Sequence, residues 1–86
     1  MEQVEFIEEP ARVEAHLAAD GTVRPKTIFW RGRQRAVTTV GRQWTEAGGR
    51  RVLVETSDGS RLELELRGED LSWWVRRFWP GPEVAL

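Results

Sequence analysis

Apolar and polar residues alternate with a period of two along nearly the whole chain. The cleanest case is Arg61-Leu-Glu-Leu-Glu-Leu-Arg67. Successive side chains of a strand point to opposite faces. Leu62, Leu64 and Leu66 therefore share one face, and Arg61, Glu63, Glu65 and Arg67 share the other. This pattern predicts a half-buried antiparallel strand with its charges in solvent. Residues 51–56 are its partner, and Ser57-Asp58-Gly59 connects the two. A two-residue Asp58-Gly59 turn would set Leu62 opposite Glu55. A three-residue loop with left-handed Gly59 sets Leu62 opposite Val54, Leu64 opposite Val52 and Glu55 opposite Arg61. Cross-strand matching of apolar with apolar, and of charge with opposite charge, favours the second register.

The same reading extends in both directions. Residues 12–18 alternate weakly and end in a turn at Asp20-Gly21. A strand follows over 22–30, where Pro25 marks its start, an edge position or a bulge. Arg31-Gly32 turns the chain into a strand over 33–40. Gly41 bends it before Trp44, and residues 45–50 are the longest loop, loosened by Gly48-Gly49. Residues 71–79 carry two patterns. Leu71, Trp74, Val75 and Phe78 make a helical stripe, whereas three Trp, one Phe and one Val favour a strand. A strand is expected, since five strands need a closing partner. Pro80-Gly81-Pro82 ends it.

Five to six short strands at spacings of about 8–12 residues predict an all-β fold. The expectation is a small antiparallel meander closing into a partly open barrel, SH3-like or OB-like. Residues 1–10 form an acidic arm or edge strand, 11–79 a single β domain, and 80–86 a tail.

Composition narrows the function classes. Eighty-six residues make one domain. With no cysteine, disulfides, thiolate metal sites and cysteine nucleophiles are excluded together. No apolar run approaches a membrane span, and no signal peptide is readable at the N-terminus, so a cytoplasmic location is expected. Asn is absent, and Lys26 is the only lysine beside twelve arginines. That bias suits a thermophile; a GC-rich genome produces it equally well.

Charge is segregated. Residues 1–20 sum to −5, 21–51 to +7 and 52–86 to −3, so the net −1 hides a basic middle. Arg31, Arg33 and Arg35 alternate beside the central turn, with Arg24, Lys26 and Arg42 close by. Guanidinium groups suit phosphate contacts, and an exposed Trp30, Phe29 or Trp44 would stack bases of a single strand. Arg31, Arg33, Arg35, Arg42 and Trp30 are thus the candidate nucleic-acid site. The competing structural reading pairs these arginines with the acidic flanks and places Trp30 and Trp44 in the core.

Trp73, Trp74, Phe78 and Trp79 form a second candidate, a protein interface. On a regular strand Trp73 and Val75 share one face, and Trp74 and Phe78 the other. One small core does not bury both, so a homodimer or partner contact is expected. His16 is a lone surface histidine, and no metal ligands converge. Glu63 and Glu65 read as solvated partners of Arg or Lys. Gly48-Gly49-Arg50-Arg51 lacks the strand–loop–helix context of a phosphate loop. Ser57, Ser60 and Ser72 assemble no triad with His16. Neither catalytic residues nor a cofactor are expected. The leading reading is a non-enzymatic macromolecule-binding module, with protein interaction or self-assembly as the alternative.

Asp20-Gly21, Phe29-Trp-Arg-Gly-Arg33, Val37 and Val40 leading to Trp44, Val52 with Val54, and the closing Trp73 or Trp74 with Val75 carry a resemblance. The stretch 20–79 resembles a small bacterial domain of unknown function. That domain occurs alone, or at the C-terminal end of proteins related to Y-family translesion polymerases. Relatives usually show Tyr where Arg35 and Arg51 stand here. The resemblance implies no known enzyme activity. It implies an association with a Y-family polymerase-related protein, and hence a link to DNA repair.

Overall fold

The computed structural model describes residues 3–82. The part of the expected tail that lies at 83–86 falls outside the described residues. Six antiparallel strands form: β1 (Glu5–Leu17), β2 (Val23–Trp30), β3 (Arg33–Glu46), β4 (Gly49–Thr56), β5 (Arg61–Arg67) and β6 (Trp73–Trp79). Among the described residues there is no helix. Each strand pairs with the next, and β1 also pairs with β6, which closes the meander into a barrel.

Two long strands make the closure possible. The first half of β1 pairs with β6, and residues 12–17 pair with β2. Residues 33–36 of β3 pair with β2, and residues 37–46 pair with β4. Register shifts at Phe6/Glu9 and Glu14/Ala15 in β1, and at Val37/Thr39 and Val40/Gln43 in β3, bend both strands. An extra residue sharpens the local twist and turns a strand from one sheet to the next.

β4 and β5 pair in the register that side-chain matching favours: Val54 opposite Leu62, Val52 opposite Leu64 and Glu55 opposite Arg61. The three-residue loop holds Gly59 at φ 84°. Asp58 Oδ1 accepts from the Ser60 N–H at 3.0 Å and the Thr56 hydroxyl at 2.6 Å, which fixes the turn.

The Thr45–Arg50 stretch differs from the long loop that its glycines suggest. β3 and β4 continue to Glu46 and Gly49, leaving a two-residue turn with Ala47 at φ 50° and Gly48 at φ 81°. Positive φ at both positions matches the twist of a tight hairpin.

β6 corrects the face assignment of the aromatic cluster. Its register slips at Glu63/Leu64, so Val75 lies opposite Leu64 while Phe78 lies opposite Leu62. Trp73, Val75 and Phe78 therefore face inward together, and Trp74 and Trp79 face outward. A regular strand would have put Phe78 with Trp74; one bulge reverses that parity. The core consists of Val23, Ile28, Trp30, Val52, Val54, Leu62, Leu64 and Val75, with Trp73 and Phe78 packed against it. Each fully buried aliphatic side chain here is worth about 1.5–3 kcal/mol.

Candidate nucleic-acid interface

The five residues singled out from the basic hairpin are brought to the same part of the barrel but given different work. Trp30 shares the inward parity of Ile28 and is only 4% exposed. Its ring meets Phe78 edge-on, with centroids 5.0 Å apart. Its indole Nε1–H donates to Glu9 Oε1 at 3.0 Å. A ring held this way has no face for a base, which corrects its expected stacking role.

Arg35 lies opposite Ile28 and is likewise turned inward. It is 6% exposed, lies over Trp30 and Phe78, and donates from Nη1 to the Trp30 carbonyl at 3.1 Å. Burial pushes its pKa down, and the neighbouring Arg33 charge adds to this. Arg35 closes one end of the barrel and is no phosphate contact, a second correction.

Arg31 occupies the turn at φ 52°, followed by Gly32 at φ 70°. Its Nε and Nη2 donate to Glu9 Oε1 and Oε2 at 3.0 and 2.9 Å, and the guanidinium covers the Trp30 ring at 4.4 Å. The Arg31 hydrogen bonds hold the Glu9 carboxyl below its usual range, and the Trp30 bond adds to them. Arg31 thus braces the hairpin to β1. Arg33 and Arg42 do reach the surface. Arg33 is 3.7 Å from Asp58, and Arg42 covers Trp44.

The outer face of β1–β2–β3 supplies cations that pattern reading did not combine. Arg12 is opposite Phe29 and stacks on it at 4.6 Å. Arg24 is opposite His16, and Lys26 occupies the bulge between Pro25 and Thr27. All three are exposed, as is Arg42. Among the described residues, Arg12, Arg24, Lys26 and Arg42 pair with no carboxylate. Glu14, opposite Thr27, is the carboxylate in the same ladder, and it too makes no ion pair. Arg12 lies outside the basic third of the sequence, so only the β1–β2 register reveals its membership.

The β4–β5–β6 side behaves differently. Arg51 Nη1 donates to Glu63 Oε2 at 2.8 Å, and Arg77 Nε lies 3.2 Å from Glu63 Oε1. Arg67 and Arg76 meet Glu65 and Glu8. Glu63 is 2% exposed and Glu65 is buried, correcting their expected solvation. Long arginine stems lie over the outer face of β5 and hide its carboxylates. The outward rings are covered in the same way: Arg67 lies 3.8 Å over Trp74, and Arg61 lies 5.8 Å over Trp79. Trp73, Trp74, Phe78 and Trp79 are all half-buried.

β2 and β3 part company after the Thr27–Ala36 pair. At the far end of this gap the Gln43 side chain replaces the missing strand. Its Oε1 accepts from the Val23 N–H at 3.0 Å, and its Nε2 donates to the Val23 carbonyl at 2.6 Å. The gap opens as a cleft of about 380 Å³ lined by Arg24, Pro25, Lys26, Val37, Thr38 and Val40. A second groove, of about 620 Å³, runs beside Arg12, Phe29, Arg33 and Gln34. Among the described residues no group of three or more His, Asp or Glu is placed to hold a metal ion.

No family model, curated protein or solved structure matches the chain.

Proposed function

We propose that this barrel is a binding module for polyanions, with single-stranded nucleic acid as its partner, and that the outer face of β1–β2–β3 is the contact surface. One observation carries the reading. Arg51, Arg67, Arg76 and Arg77 of the β4–β5–β6 face are matched by carboxylates, whereas Arg12, Arg24 and Lys26 on β1 and β2, and Arg42 farther along β3, are left unmatched. Unmatched cations on one side of a nearly neutral protein create a local positive field. Phosphates release counterions when they meet such cations, which drives association. The proposed association with a Y-family polymerase-related protein, within DNA repair, would bring such single strands to this face.

The test is fluorescence anisotropy with labelled single-stranded DNA across salt concentrations. Three or four phosphate contacts give a slope of log K against log salt of about −2 to −3. Replacing Arg24 and Lys26 together by Ala should flatten the slope by about 1.4. An absence of binding at low salt, or a slope indifferent to that double change, would send the reading to the protein-interaction alternative.

A further inference from the structure

We infer that the β2–β3 cleft receives one unstacked nucleobase while its cationic rim holds the flanking phosphates. The inference rests on the polyanion reading above and adds a preference for flexible single strands over duplex. The cleft has two kinds of lining. The partly exposed Val37 and Val40 supply apolar surface beside the buried Pro25, and Arg24 and Lys26 supply positive charge. A phosphate-only surface has no use for exposed valine methyls beside its cations. A nucleotide presents that combination, a flat, largely apolar base bonded to an anionic backbone.

An added peptide strand fits this gap poorly. Pro25 has no N–H to offer a ladder. Lys26 sits in a bulge, and β3 carries two register shifts between Val37 and Gln43. Proline, lysine and bulges are the devices that block strand addition at an exposed edge. The Gln43 bonds to Val23 also shut one end of the gap. What remains is a short slot, open outward, rather than a continuous edge. A duplex keeps its bases stacked and paired inside its phosphates, so only an unpaired base can enter.

The test compares two labelled oligomers of equal length and charge, roughly ten residues each, the span of a small barrel. One is oligothymidylate and the other has the same backbone with abasic sites throughout. The abasic strand is expected to bind about tenfold more weakly, a difference of about 1.4 kcal/mol. Amide resonances of Val37, Thr38 and Val40 should move with the base-bearing strand and stay in place with the abasic one. Equal affinities, or base-dependent shifts located elsewhere, would overturn the slot while leaving the polyanion reading standing. Failure of both oligomers to bind would remove that reading, and the slot with it.

Discussion

Glu9 on β1 and Arg31 in the β2–β3 turn form a two-pronged ion pair, with Nε and Nη2 donating at 3.0 and 2.9 Å. The pair spans the place where β1 has not yet joined β2, since their ladder begins at Arg12 and Phe29. It also explains how an arginine tolerates φ 52°. A left-handed conformation costs a non-glycine residue roughly 1–2 kcal/mol, and the salt bridge and the Trp30 contact offset it.

Arg31→Ala keeps the conformational strain and loses the brace. Stability is expected to fall slightly, as for other solvent-screened surface pairs. Affinity for single-stranded DNA should change less than twofold, in contrast to Arg24→Ala. Chemical denaturation and anisotropy on the two variants check both halves. A large affinity loss on Arg31→Ala would show that the guanidinium reaches a ligand.

Glu63→Ala should be far more damaging than its position in an alternating strand suggests. The change takes from the buried Arg51 its shortest ion pair, leaving it Glu46 and Glu65 at 3.5 Å, and deprives Arg77 of its partner. Removing one member of a buried pair costs roughly 3–5 kcal/mol. For a domain of this size each kcal/mol moves the midpoint by about 4–8 °C, so Tm should fall by more than 10 °C, at the low end of that estimate. Glu55→Ala, on an exposed neighbour, serves as the control and should stay within about 0.5 kcal/mol. Equal effects from the two would contradict the burial of Glu63.

The contrast shows where pattern reading stops. Period-two alternation located β5 and its register with β4 because the Leu–Val matches are local and unambiguous. Aromatic and β-branched composition, with the need for a sixth partner, located the closing strand. Neither exposed the bulge in β6, since an extra residue leaves no signature in a run of Trp, Arg and Phe. That one slip moved Phe78 from the face of Trp74 to that of Trp73 and Val75, where it packs against the core. Burial of Arg35 escaped for a related reason, and that of Trp30 stood only as the competing reading. Alternation ranks them as one face of a hairpin, and only barrel closure decides that this face is the interior. Glu63 and Glu65 are outward as expected, yet arginines from β4 and β6 cover them. Arg12 joined the candidate interface through a pairing seventeen residues away, with Phe29. Periodicity reads such ladders one strand at a time.

Gly59→Ala tests the β4–β5 loop. The glycine holds φ 84°, and a Cβ there would come 3.2 Å from Pro82 Cδ. The left-handed penalty alone is about 1 kcal/mol, and the proline contact adds to it. Urea unfolding should show a lower midpoint with an unchanged slope. An unaltered midpoint would mean that the loop relaxes into another turn.

Acid should destabilise the barrel through carboxylates that the fold holds ionised. Glu9 lies low chiefly through Arg31. Burial raises Asp58, but hydrogen bonds from Thr56 and Ser60 outweigh it and leave the group lowered. A carboxyl with a lower pKa in the folded state binds fewer protons there than in the unfolded chain. Its contribution is complete above the unfolded value and is lost as pH falls through the folded one. Tm is expected to be nearly flat between neutrality and pH of about 5, and to drop below pH of about 4. Asp58→Asn should shallow that drop. A Tm that rises on acidification would refute the assignment.

Gln43 offers the sharpest test of how the barrel closes. Its amide pairs with both backbone groups of Val23, doing for β2 what a further ladder pair with β3 would otherwise do. Gln43→Leu preserves size and leaves a part-buried N–H and C=O without partners, at about 1–3 kcal/mol. Hydrogen exchange at the Val23 amide should accelerate, while Ile28, deep in the core, keeps its protection until the whole domain opens. Gln43→Glu separates donor from acceptor. At neutral pH the introduced carboxylate still accepts from Val23 N–H but repels its carbonyl. Protonation gives back a donor. The deficit of this variant, measured against the wild-type chain at the same pH, should therefore shrink on acidification, whereas that of Gln43→Leu should not. If both deficits follow the same course with pH, the side-chain amide is filling space at the β2–β3 gap rather than completing the strand pairing.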